Sequence, residues 1–103
     1  MKAGRLDQRV SIEQLVTIGD SWGGTVEAWA PLVTAWAAVE PLVGREYLAA
    51  QAAQSEVTAK IRMRYRPGIT AQDRVIHDGK TYDIKSVIDV RSAGRELVLM
   101  CRG

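Results

Sequence analysis

The sequence predicts an all-β fold with one short helix: a small antiparallel β-barrel or tightly curled sandwich of about six strands. Three observations carry that reading. Apolar and polar residues alternate with period two in several separate segments, the pattern of half-buried strands. Turn signals recur at short spacing, among them Gly19-Asp20, Gly23-Gly24, Pro67-Gly68 and Asp78-Gly79. Good helix formers concentrate in one stretch, Gly44 to Gln54. Short antiparallel strands with frequent turns suit a barrel or sandwich.

The first strand is expected over Gln8 to Leu15, with Val10 and Ile12 against Arg9, Ser11 and Glu13. It runs into "TIGDSWGGT", an exposed, glycine-rich loop carrying Trp22. A second extended region covers Val26 to Leu42. Pro31 should bend it or stand at an edge, since proline donates no ladder hydrogen bond. From Leu32 onward both faces are apolar, with Val33, Ala35, Ala37 and Val39 on one and Leu32 and Trp36 on the other. Such a strand needs cover on both sides, from a helix or a neighbouring subunit. Trp22, Trp29 and Trp36 recur every seven residues, but Gly23, Gly24 and Pro31 forbid a continuous helix between them. Trp36 is assigned to the core and Trp22 to the exposed loop.

The helix candidate, "GREYLAAQAAQ", is about ten residues, marginal in isolation, and its alanines bury little area. It should dock weakly and be able to move. "TAKIRMRYRPG" follows, with Ala59, Ile61, Met63 and Tyr65 on one parity and Lys60, Arg62, Arg64 and Arg66 on the other. Asp78-Gly79 marks a two-residue hairpin inside "RVIHDGKTYDIKSVIDV". "RSAG" then turns the chain into the last strand, Glu96 to Arg102. The expected core is Val10, Ile12, Val39, Ile61, Met63, Tyr65, Ile84, Ile88, Leu97 and Leu99.

The 103 residues make one domain, residues 1–103, and a chain of this size buries roughly two-thirds of its unfolded surface. Hydrophobic residues at 47% and charged residues at 25% are ordinary for a soluble globular protein. A net charge of +2 excludes a polycation, so any nucleic-acid role rests on a local stripe. Cys101, the single cysteine, shares the parity of Leu97 and Leu99 and reads as buried and inert; a disulfide scaffold is excluded. "MKAGRLDQRVSI" lacks the apolar run of a signal peptide, and "AWAPLVTAWAAVEPLV" is too broken to span a membrane.

Catalysis finds no residues to work with. His77 is the lone histidine, expected exposed beside the Asp-Gly turn, and the acids are scattered singly. "GDSWGG" lacks the lysine and the following helix of a phosphate loop. No enzyme, metal site or cofactor is expected.

Lys60, Arg62, Arg64 and Arg66 pose the sharper question. Alternate strand residues stand about 7 Å apart, where like charges in water repel by roughly 0.6 kcal/mol per pair. A wet face tolerates that; a dry face needs acids across the sheet, with Asp83, Asp89 and Glu96 as candidates. Three readings stay open: a solvated, edge-protecting face with cross-strand ion pairs, contact with an acidic subunit, or contact with DNA.

The order of segments narrows the field. "GRLDQRVSIEQ", "GDSWGGTVEAW", "TAWAAVEPLVGREYLAA", "IRMRYRPGIT", "DRVIHDGKTYDIKSVIDV" and "ELVLMCR" together resemble the phage head–tail joining proteins, also called head-closure or stopper proteins. Trp36-Ala37 with Gly44 and Glu46, Arg64-Tyr65-Arg66 before Gly68, and Gly79 and Tyr82 with Ile84 are the most specific pieces. The resemblance implies a small β-barrel in the virion, present in host cytoplasm before assembly. It implies a homo-oligomeric ring between the portal or adaptor ring and a tail-completion protein, closing a channel that double-stranded DNA traverses without sequence-specific binding. The channel-closing excursion then falls on Gly44 to Ser55, including Arg45, Glu46, Tyr47, Leu48, Gln51 and Gln54. Trp22, Lys60, Arg62, Arg64 and Arg66 become candidates for subunit or partner contact. The alternative is a free-standing small-barrel nucleic-acid binder whose Lys60/Arg62/Arg64/Arg66 face tracks phosphates. A tail-completion or adaptor protein of the same virion is a third possibility.

Overall fold

The computed structural model describes residues 5–103, in which six antiparallel strands form a closed barrel. The first four residues of "MKAGRLDQRVSI" lie outside the described residues. The strands are β1 (Gln8–Gly19), β2 (Thr25–Pro41), β3 (Ala59–Arg64), β4 (Arg74–His77), β5 (Lys80–Asp89) and β6 (Glu96–Arg102). They follow one another round the barrel as β1-β2-β3-β6-β5-β4. One helix, α1 (Gly44–Ala52), interrupts the path from β2 to β3, and a 3-10 turn (Val90–Ser92) precedes β6.

Inward-pointing residues of all six strands fill the interior. Val10, Ile12, Ile61, Met63, Val75, Ile84, Leu99 and Cys101 are fully buried, and Ala37, Tyr82 and Leu97 join them. A barrel this narrow has room only for side chains, so it is a packed core and not a pore. The Asp78-Gly79 hairpin is as expected: both residues have positive φ, 51° and 78°, as a type I′ turn requires.

Several expectations are corrected. Ile88 is 46% exposed, because β5 carries a bulge between Ile84 and Ser86. The extra residue, Lys85, reverses the parity, so Val87 packs on the core and Ile88 turns outward. Tyr65 is 43% exposed, because β3 ends at Arg64 and the Tyr65 N–H donates to the Arg95 carbonyl at 2.9 Å. Trp36 is 53% exposed on the outer face, opposite Arg9, whose guanidinium lies 5.1 Å from its ring centroid. Val39 is only partly buried against the core. His77 is half-buried, with Nδ1 3.3 Å from the Arg9 carbonyl oxygen.

The largest departure lies in the first hairpin. β1 continues past Leu15 to Gly19, so the glycine-rich loop shrinks to Asp20–Gly24. β4 pairs with β1 only over Ser11, Ile12 and Glu13, and β3 meets β2 only from Ala37 to Pro41. Beyond those limits β1 and β2 have only each other. They leave the barrel as a two-stranded arm, and the molecule measures 55 × 29 × 28 Å. Pro31 sits where the sequence reading put it, on a free edge, opposite Glu13 at a register shift.

Truncation separates these environments. Ile12→Ala and Ile61→Ala should each destabilise the barrel by about 3 kcal/mol in urea unfolding, whereas Ile88→Ala should cost less than about 1 kcal/mol.

Candidate functional site

The four cations do not form one row. Only Lys60, Arg62 and Arg64 belong to β3, and Arg66 lies in the loop beyond it. β3 is flanked by β2 and β6, so this face protects no edge. Lys60 pairs with Glu46 of α1. Arg62 lies between two acids, 3.5 Å from Glu40 of β2 and 3.8 Å from Glu96 of β6. Of the acids expected across the sheet, Glu96 takes this role; Asp83 and Asp89 do not. Glu40 and Glu46 are not among the acids expected there: the β2–β3 register brings Glu40 alongside β3, and α1 carries Glu46 to Lys60.

Arg64 and Arg66 are exposed, and neither has an ion pair among the described residues. The Tyr65–Arg95 hydrogen bond holds their loop against the start of β6, where Arg91 and Arg95 are also exposed. Four arginines therefore share one end of the barrel, which is also the end from which the arm departs. This cluster is invisible in sequence, since Arg66 and Arg91 stand 25 positions apart.

α1 occupies the opposite end. None of its residues is buried, and its N-cap, Val43, offers no side-chain hydrogen bond. Tyr47 and Leu48 are exposed, Leu48 by 67%, and so are Arg45, Gln51 and Gln54. The chain is secured on either side of the helix. The Leu42 N–H donates to the Thr58 carbonyl at 2.9 Å, and Glu56 binds Arg102 at 2.7 Å and Lys85 at 3.5 Å. Glu46–Lys60 is the one salt bridge from the helix itself to a strand among the described residues. Near this end a concavity of about 730 Å³ is lined by residues that include Arg5, Glu40, His77, Lys80 and Tyr82.

At the arm's tip Trp22 is 93% exposed. The turn beneath it is ordered by Asp20, whose Oδ1 accepts the N–H groups of Trp22 and Gly24 at 2.9 and 2.8 Å. Cys101 is buried, and that burial, with a lesser contribution from Asp83, pushes its thiol up to about 12.

The whole chain, residues 1–103, matches the family described as phage head completion protein. The chain belongs to that family. It is thus a structural component of phage-like virions in the head–tail region, a family normally non-enzymatic. The head completion protein gp7 of Enterobacteria phage HK97 is 28% identical to it, the match covering 99% of this chain and 96% of the relative. The solution structure of SF1141 from Shigella flexneri 2a superimposes with a TM-score of 0.79 at 27% identity, covering 99% of this chain and 96% of the other. A chain in the virion of a native gene transfer agent shares the fold at TM-score 0.61 and 20% identity, with 94% and 93% covered.

Two measurements probe this head completion protein's charged and thiol groups. Arg62→Glu should cost on the order of 2 kcal/mol in thermal or urea unfolding, because a third carboxylate would replace the cation between Glu40 and Glu96. Arg64→Glu with Arg66→Glu should change stability by less than about 0.5 kcal/mol. For Cys101 the raised thiol pKa means that the unfolded chain loses its proton near the ordinary value of 9.0 while the folded chain keeps it. Stability should therefore fall from pH 9 towards 12 more steeply in the natural chain than in Cys101→Ala, by up to about 1.4 kcal/mol per pH unit.

Proposed function

We propose that the chain forms a ring at the head–tail interface that closes the portal channel after DNA packaging and then docks the tail. One observation carries the reading: an excursion fastened at both ends, whose helix has no buried residue. A nine-residue helix with no buried side chain has little to oppose its opening. A closing element needs that property, since it must hold DNA in a filled head and later move aside. Arg45, Glu46, Tyr47, Leu48, Gln51 and Gln54 are its residues, and Glu46–Lys60 is the contact that releases it. The barrel remains intact throughout, because the excursion contributes nothing to the core.

The portal or adaptor ring on one side and a tail-completion protein on the other are the proposed neighbours. Trp22, Arg64 and Arg66 are the contact residues among the candidates, all three being exposed and the two arginines without an ion pair among the described residues. Lys60 and Arg62 are engaged by Glu46, Glu40 and Glu96, which argues against a continuous phosphate-tracking stripe on β3. DNA is expected to pass through the channel without sequence-specific binding.

Amide exchange should be faster for Leu48 to Gln54 than for Lys60 to Arg64 in the free protein. Replacing Arg45 to Gln54 by a short glycine-serine bridge should leave the barrel folded by circular dichroism while filled heads lose DNA. Protection across α1 equal to that of β3, or full DNA retention by heads carrying the deletion, would contradict the closing role.

A further inference from the structure

The arm is costly to leave in water. Residues 13–19 of β1 pair with 25–31 of β2, a ribbon of about 24 Å at 3.4 Å per residue. Two strands alone are marginally stable in water. The outer edge of β1 from Gln14 to Gly19 holds no charge and no proline, the usual guards against strand pairing. Leu15, Ile18, Trp22, Val26 and Trp29 are exposed along the ribbon. A surface of this kind is built to be covered.

Charge indicates by what. No lysine or arginine occurs between Val10 and Gly44. Of the acids in that span, Glu13 is held by Arg74 at 2.8 Å and Glu40 lies 3.5 Å from Arg62. Asp20 Oδ1 accepts the Trp22 and Gly24 N–H groups, leaving Glu27 on the projecting ribbon with no ion pair among the described residues. The barrel end below it carries Arg64, Arg66, Arg91 and Arg95, none in an ion pair among the described residues. The nearby acids are engaged: Asp89 accepts the Gly94 N–H at 3.0 Å, and Glu96 lies 3.8 Å from Arg62. An acidic, apolar arm and a basic end thus belong to one chain. Glu27 makes no ion pair with the arginines of its own chain among the described residues, so the two complementary patches are free to meet on different copies.

We infer that the β1–β2 arm docks on the Arg64/Arg66/Arg91/Arg95 end of a second copy of this chain. The contact joins two different patches, so it is heterologous and propagates from subunit to subunit until the rotation closes it into a ring. The inference rests on the ring reading above and supplies its subunit contact. It explains an exposed tryptophan at the tip of the arm and an arginine cluster with no ion pair among the described residues.

The test places single cysteines at exposed neutral positions on each patch, Ser21→Cys in the arm and Ala93→Cys between Arg91 and Arg95. Phage particles assembled with the double variant are treated with a short bismaleimide; buried Cys101 does not react. The expected result is a ladder of dimer, trimer and higher oligomers of this chain, absent from either single variant. Glu27→Arg should lower the copies per particle at least tenfold, and Glu27→Arg combined with Arg91→Glu should restore them.

Dimers alone, crosslinks from Ser21→Cys by itself, or crosslinks to a different virion protein would each overturn the arm-to-end contact. So would normal copy number in Glu27→Arg particles. Counting the chain in particles separates the two levels of the argument. Several copies per particle with no crosslink would sink the arm contact and leave the ring standing, whereas a chain absent from particles would sink both.

Discussion

Three residue pairs between β1 and β4 close the barrel: Ser11 with Ile76, Ile12 with Val75, and Glu13 with Arg74. The rest depends on that short seam. It turns an open sheet into a structure without barrel edges and points Ile12 and Val75 at the same interior as Ile61, Met63 and Leu99. β4 has only four residues and begins opposite Glu13, so beyond that point β1 is left with β2 alone. At that point Arg74 donates from Nε to Glu13 at 2.8 Å, and its guanidinium lies 4.2 Å from the centroid of the Trp29 ring. One arginine therefore binds the last closing pair and the base of the arm together. The projecting arm follows directly from unequal strand lengths.

Closure also gives the molecule two unlike ends. β2, β4 and β6 lead to the end with α1, the Asp78-Gly79 turn and the C-terminus, while β1, β3 and β5 lead to the end with the arm and the arginine cluster. A component proposed to stand between capsid and tail has use for such polarity, because its two neighbours differ. The barrel itself is insulated from both ends. Its core draws on no residue of α1 and none of the projecting arm, so either end can bind or move without disturbing the packing that holds the fold.

The β3 charges show how ion pairs divide the labour within one row. Lys60 and Arg62, half-buried, meet acids that the ladder brings alongside, and their value is chiefly in avoiding a buried unpaired charge. Arg64 stands opposite Glu96 in the β3–β6 ladder, but that carboxylate lies 3.8 Å from Arg62; neither Arg64 nor Arg66, beyond the strand, has an ion pair among the described residues. The side-chain geometry around Glu96, which lies toward Arg62, leaves Arg64 available to a partner.

Much of this was legible in the amino-acid order alone. Period-two alternation marked several of the strands, β1 and β3 most plainly, Asp78-Gly79 determined its turn because both positions accept positive φ, and alanine content determined that α1 would dock weakly. Those features are local: each depends on a residue and its near neighbours. Tyr65, Ile88 and Trp36 were misread because parity holds only while a strand continues in register and while its two faces differ in cover. β3 stops before Tyr65, a bulge at Lys85 turns Ile88 outward, and Trp36, 53% exposed, is met by the cation of Arg9 on the outer face. The arm, the arginine cluster and the Glu40–Arg62–Glu96 grouping required the tertiary structure. Strand pairing is a long-range choice, fixed by which interior side chains fill one narrow barrel together, and no stretch of sequence carries that information by itself.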